Sequence, residues 1–182
     1  MKIAIMGGSL RKDSLNLKLL DYLAKTIQAQ GPRVRILAGA DLRLPLYDAD
    51  LPAPPEAVAL HAVIYESQGL VIVSPEYNAG IPPHLKNAVD WASTLTPSPF
   101  RNLPVLLTAA SPGALGGARA LIQWRAVLAN LGAIALPAVI AVPHADRNLG
   151  PGGAPLEARA VTEVQKAVGA FLELTSRLGA RP

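Results

Sequence analysis

The chain has 182 residues, 51% hydrophobic and 16% charged, with no cysteine and a net charge of +4 from 17 Lys+Arg against 13 Asp+Glu. That length favours one domain with a self-sufficient core, and the hydrophobic content excludes a disordered chain. Without cysteine there are no disulfides, thiolate metal sites or cysteine nucleophiles; mild basicity suits anionic ligands better than nucleic acid, 4% aromatics is too few for base-stacking platforms, and any redox group must be borrowed.

Residues 2–6 form a short apolar strand, too brief for the apolar region of a signal peptide. No apolar run approaches the ~20 residues of a membrane helix, so a soluble cytoplasmic protein is expected. Residues 14–28 place Leu15, Leu19, Leu20, Leu23 and Ile27 at helical spacing. Gly31-Pro32 punctuates before a second strand at 34–37, and 41–55 is a Pro-rich connection. A helix at 56–67 precedes a continuous buried strand at 70–74. Pro82 or Pro83 suits the first turn of a third helix running to about 93. A fourth strand covers 103–109, and a fourth helix covers 118–131 and stops at Gly132. The fifth strand, 134–142, is interrupted near Pro137, and 156–178 is a long closing helix.

Strand and helix thus alternate five times, which predicts a parallel sheet with helices on both faces. Segments such as 70–73 and 105–108 are apolar throughout, as strands covered on both sides are. The expectation is an α/β doubly wound five-stranded sheet of order 2-1-3-4-5, in a single domain spanning 1–182. Ligands of such sheets bind beyond the carboxyl ends of strands 1, 3 and 4. Loops 7–14, 74–82 and 110–118 must converge there.

In the first loop, Gly7-Gly8 ends a strand and a helix begins near Ser14. Free N–H groups at that helix start, with Ser9, Arg11, Ser14 and Asn16, make a cup for a phosphate dianion. Neither the Walker pattern nor G-x-G-x-x-G is present. The structural alternative is a Ser14 N-cap, a glycine turn and solvated Arg11 and Lys12. In the second loop, Pro75 and Tyr77 offer a surface to a flat polar heterocycle, and Gly80 permits close backbone approach; alternatively Tyr77 and Asn78 are ordinary turn residues. The third loop, Ala110-Ser111-Pro112-Gly113, has the outline of a nucleophile elbow. The residue after the serine must supply an oxyanion N–H, and Pro112 has none. A Ser–acid–His order also fails, so a cofactor wall is the better reading.

The chain resembles the NADPH-dependent FMN reductase family, which includes flavin, quinone, azo-dye and chromate reductases. The matching residues are Gly8-Ser9-Leu10-Arg11 with Ser14 and Asn16; Leu44-Pro45-Leu46-Tyr47-Asp48; Pro75-Glu76-Tyr77-Asn78 with Pro82, Leu85-Lys86-Asn87-Ala88 and Asp90-Trp91; and Ser111-Pro112-Gly113 with Gly116-Gly117. The resemblance implies a flavodoxin-like fold, bound FMN and a homodimer or homotetramer. It implies that Ser9, Arg11, Ser14 and Asn16 hold the FMN phosphate. Pro75, Glu76, Tyr77, Asn78 and Gly80 would lie along the isoalloxazine and ribityl chain, with Ser111, Gly113, Gly116 and Gly117 as a third wall. Hydride would pass from NADPH or NADH through FMN N5 to a quinone, free flavin, azo compound or metal oxyanion, with no side chain obliged to act as acid or base. A flavodoxin-type electron carrier and a flavin-free regulatory module are the competing classes.

His61, His84 and His144 lack metal-ligand spacing, so no metal is expected. His84, Asn87 and Trp91 form a second stripe beside the apolar one on the third helix, read as a subunit interface, with Trp91 as simple core the alternative. Residues 91–145 contain no Asp or Glu but do contain Arg101, Arg119 and Arg125, which suggests where an anionic nicotinamide nucleotide approaches.

Overall fold

Short aliphatic runs, buried nearly throughout in the central strands, set the architecture. In the computed structural model, which describes residues 1–178, they form five parallel strands: β1 (Lys2–Gly7), β2 (Arg33–Ala38), β3 (Gly69–Val73), β4 (Pro104–Ala110) and β5 (Ile134–Val142). Their order is β2-β1-β3-β4-β5, the expected doubly wound arrangement. The helices are α1 (Leu15–Gln28), α2 (Pro55–Tyr65), α3 (Pro83–Ser93), α4 (Ala118–Asn130), the single-turn α5 (Ala145–Asn148) and α6 (Ala158–Leu178).

Alternate side chains of the central strands enter two separate cores. Ile3, Ile5, Val71, Val73 and Leu106 pack with Leu19, Leu23 and Ile27 of α1 and Val164, Val168 and Phe171 of α6. Ala4, Met6, Leu70, Ile72, Val105 and Leu107 pack with Leu60 and Ile64 of α2, Leu85 and Val89 of α3, and Leu121, Trp124 and Leu128 of α4. Each fully buried aliphatic side chain contributes roughly 1.5–3 kcal/mol, which is why strands apolar on both faces require helices on both sides.

Ser14 caps α1 from outside it, and Pro83 opens α3 with Pro82 at its cap, in line with the sequence. Other details differ from the sequence expectation. α5 lies inside 143–155, a Pro/Gly-rich stretch whose sequence reads as a loop, after His144 in the left-handed region (φ 47°). β5 is not broken at Pro137. It continues through a register shift, so that residues 136–138 lie opposite Leu106 alone. A bulge is how a strand absorbs a proline that has no N–H to donate. At the other margin, β2 carries Arg33 and Arg35, both exposed, at the outer strand. No described helix is long and apolar enough to cross a membrane.

Candidate functional site

The carboxyl ends of β1, β3 and β4 feed the three loops, and a set of long-range polar contacts ties those loops to one another. Gly8 starts the first loop, and its N–H donates to the Val73 carbonyl at 2.9 Å. A Cβ at Gly8 would lie 2.5 Å from Leu85 Cδ2 and 3.2 Å from Pro75 Cδ, so glycine is what lets loops one and two touch. Ser14 is the N-cap of α1, its Oγ accepting the Asn16 N–H at 3.2 Å. That satisfies the structural reading of Ser14 and leaves its hydroxyl hydrogen available to an anion. Ser9 is buried, with Oγ 3.4 Å from the Arg11 N–H. The backbone N–H groups of Ser9, Leu10, Lys12 and Asp13 have no acceptor among the described residues. Nor does the exposed Arg11 guanidinium have a carboxylate partner there.

Asn16 departs from the expected role. Its Nδ2 donates to the Ala110 carbonyl at 2.8 Å and its Oδ1 accepts the Ala110 N–H at 2.9 Å. Both halves of this buried amide are occupied by the end of β4, so the side chain fastens α1 to the third loop rather than reaching into the cup.

The second loop closes in a tight turn. Tyr77 and Gly80 exchange backbone hydrogen bonds at 3.0 and 2.9 Å, with Asn78 and Ala79 at φ 50° and 64° between them. The N–H groups of Asn78 and Ala79 have no partner among the described residues. Tyr77 is 40% exposed, its ring 6.2 Å from that of His84. Glu76 points away from the turn. Its carboxylate accepts from the Arg119 N–H at 3.0 Å, the Ala120 N–H at 3.4 Å and Arg119 Nε at 2.7 Å, and pairs with Arg119 Nη2. It therefore caps α4, whose own cap position, Gly117, has no side chain. Burial pushes the Glu76 pKa up, but the Arg119 hydrogen bond, the Ala120 N–H and the Arg119 charge outweigh it, and the net position is below the ordinary 4.5. Trp124 Nε1 of α4 reaches the buried Ser74 Oγ at 2.9 Å.

In the third loop Ser111 Oγ accepts the Gly113 N–H at 3.1 Å, and the Ser111 carbonyl accepts the Ala145 N–H at 2.9 Å. Gly116 has φ 60°, and a Cβ there would lie 2.8 Å from the Val142 and Pro143 backbone. His144 Nδ1 sits 3.2 Å from the Pro112 carbonyl, and no hydrogen bond joins it to Ser111. No group of three or more His, Asp or Glu side chains able to hold a metal occurs among the described residues.

The stripe on α3 is not a free surface. Asn87 Nδ2 and Trp91 Nε1 both donate to the Pro45 carbonyl, at 2.9 and 2.7 Å, and Asn87 Oδ1 accepts the Tyr47 N–H at 2.8 Å. Trp91 is 2% exposed, with the Tyr47 ring set edge-on at 4.9 Å. These residues hold the chain's own 44–47 segment, which corrects the interface reading. His84 Nε2 meets the Gly8 carbonyl at 3.1 Å, so it ties α3 to loop one; burial holds its pKa below 6.5 despite that bond. The three arginines do not form one patch either. Arg119 is held by Glu76, Arg125 Nη2 binds the Pro137 carbonyl at 2.7 Å, and Arg101 precedes β4 at the opposite edge of the sheet.

Comparison with known proteins points one way. A family model described as NADPH-dependent FMN reductase matches residues 1–147. A quinone reductase of Escherichia coli K12 is 39% identical over 142 residues, 75% of this chain and 73% of its own length. A 2-hydroxy-1,4-benzoquinone reductase of a Burkholderia species is 40% identical over 134 residues, 72% of each chain. Among solved structures, FerB, a flavoenzyme NAD(P)H:(acceptor) oxidoreductase of Paracoccus denitrificans, superposes with a TM-score of 0.85 at 31% identity over 97% of both chains.

Proposed function

The chain belongs to the NADPH-dependent FMN reductase family and is an FMN-dependent NAD(P)H oxidoreductase; from that premise we propose how its residues hold the cofactor and that a quinone takes the electrons. The observation that carries the assignment is the clustering of backbone N–H groups without an acceptor among the described residues, at 9, 10, 12 and 13 and at 78–79, beyond the same edge of the sheet. FMN has two matching needs, donors for a dianionic phosphate and donors for the polar edge of a flat ring.

The phosphate is held by the N–H groups of Ser9, Leu10, Lys12 and Asp13, the Ser14 hydroxyl and the unpaired Arg11, at the positive end of the α1 dipole. The ring rests against Pro75, Tyr77 and the Asn78–Gly80 turn, with Ser111, Gly113, Gly116 and Gly117 as the facing wall. Glu76 and Asn16 act one step back, fixing α4 and β4 relative to the loops that touch the cofactor. When bound, FMN supplies a hydride-accepting and hydride-donating centre that no side chain of this chain offers. The protein's task is to bind, orient and shield it. Each protomer is one flavin-binding domain spanning 1–182, working in the cytoplasm as a homodimer or homotetramer. Leu46 at 83% exposed, Leu51 at 57% and Leu115 at 55% support a second subunit covering part of this surface.

A quinone acceptor is supported by the activities for which the Escherichia coli and Burkholderia relatives are named. The test is the visible spectrum of the purified protein with FMN, taken anaerobically before and after NADPH or NADH, then after a benzoquinone. Flavin uptake, bleaching by the nucleotide and recovery with the quinone are expected. Bound flavin that neither nucleotide reduces would leave an electron carrier; no flavin uptake would leave a flavin-free module.

A further inference from the structure

The 77–80 turn adopts a shape that its residues do not favour. Both central residues lie in the left-handed region, and the second of them is Ala79, at φ 64°. Asparagine tolerates that region; alanine does not, because its Cβ crowds the following carbonyl. A strained turn persists only where its surroundings hold it.

The group that holds it is Gln123 on α4, which nothing in the sequence singles out. Gln123 Nε2 donates to the Ala79 carbonyl at 2.9 Å, and Oε1 accepts the Ile81 N–H at 3.3 Å. A donor facing a carbonyl and an acceptor facing an N–H also fix which way round the amide sits. A Cβ at Gly80 would lie 3.4 Å from Gln123 Oε1, so the side chain covers the turn's outer face closely. Trp124, the next residue, anchors the start of the same loop at Ser74, and Glu76 anchors its middle to the first turn of α4. The Asn78 and Ala79 N–H groups are the part of the turn left without acceptors.

We propose that Gln123 is a positioning residue for the flavin: by bracketing Ala79 and Ile81 it sets the direction of the free Asn78 and Ala79 N–H groups and so tunes both FMN affinity and the flavin's midpoint potential. This rests on the cofactor assignment above. Donors aimed at the ring favour the reduced, more electron-rich form more than the oxidised one, because hydrogen bonds to a charged acceptor are the stronger. Loosening the turn therefore makes the potential more negative as well as weakening binding.

The test compares wild type with Gln123→Met, which keeps length and bulk but removes both hydrogen bonds. Three measurements are made: amide hydrogen exchange at Tyr77 and Gly80 in the flavin-free protein, the FMN dissociation constant, and the midpoint potential. Exchange at those two amides should quicken about tenfold and the dissociation constant should rise about tenfold, as expected for two lost bonds of modest net strength. The potential should move to a more negative value, while the thermal midpoint of the flavin-free protein falls by only about 3–6 °C, the global counterpart of a tenfold local loosening. A variant that binds FMN within about twofold of wild type, or binds it more weakly at an unchanged potential, overturns the inference. A wild type that takes up no FMN overturns the cofactor assignment and the inference together, so the two failures are distinguishable.

Discussion

Replacing Asn16 with alanine separates its two possible roles. Its amide bridges the Ala110 N–H and carbonyl at 2.9 and 2.8 Å, in a site where Asn16 is only 5% exposed. Asn16→Ala strands one buried donor and one buried acceptor. Each such group costs about 1–3 kcal/mol, so the pair should cost about 3 kcal/mol after partial relaxation. In a chain of this size that lowers the thermal midpoint by roughly 6–12 °C. Since folded domains are stable by about 5–15 kcal/mol, the variant should still fold at 25 °C. Asn16→Asp should be at least as damaging, since it keeps the acceptor but sets a carboxylate oxygen against the Ala110 carbonyl. The assay is thermal unfolding of the flavin-free protein by circular dichroism, with FMN titration alongside. If Asn16 were a phosphate ligand, FMN affinity would fall while the flavin-free protein melted within about 2 °C of wild type; that result would refute the bridging role.

Arg11→Ala should leave stability unchanged and weaken FMN by about 10- to 100-fold, the range for one lost charged hydrogen bond, as read by fluorescence titration. Gly116→Ala adds a Cβ 2.8 Å from backbone atoms at φ 60° and should cost more than about 2 kcal/mol, visible in urea unfolding together with lost flavin binding. Glu76 has a folded pKa below 4.5, so between that pKa and 4.5 the unfolded chain binds more protons; its contribution is complete above 4.5 and is lost as pH falls through the folded value. Glu76→Gln should therefore flatten the acid limb of a stability–pH curve, and an unchanged limb would count against the Arg119 pairing.

The fold was readable because its central strands are apolar on both faces, a pattern that demands helices above and below. Helix starts were readable where a cap or proline marks them, as at Ser14 and Pro83. α5 was not, because four residues after a left-handed histidine carry no periodicity. The site was readable as three loops at one edge of the sheet, yet the destinations of individual side chains were not. Asn16 and Ala110 are 94 residues apart, Glu76 and Arg119 are 43, and Trp91 and Pro45 are 46. A stripe at helical spacing looks the same whether it covers a partner or the chain's own loop, so Asn87 and Trp91 were indistinguishable from an interface. Gln123 left no trace at all, since an exposed polar residue on a helix is the commonest thing such a position holds.

The proline bulge in β5 has a consequence for how these molecules behave in a crowd. A parallel sheet ends in two outer strands whose bare amides and carbonyls invite a neighbouring chain to add itself. Here Pro137 has no N–H to offer, and its carbonyl is already taken by Arg125. The bulge bends that margin out of line, while the opposite margin bristles with Arg33 and Arg35. Both margins are thus poorer templates for sheet-to-sheet growth than bare outer strands would be, which helps guard a protein half composed of hydrophobic residues against fibrous self-association.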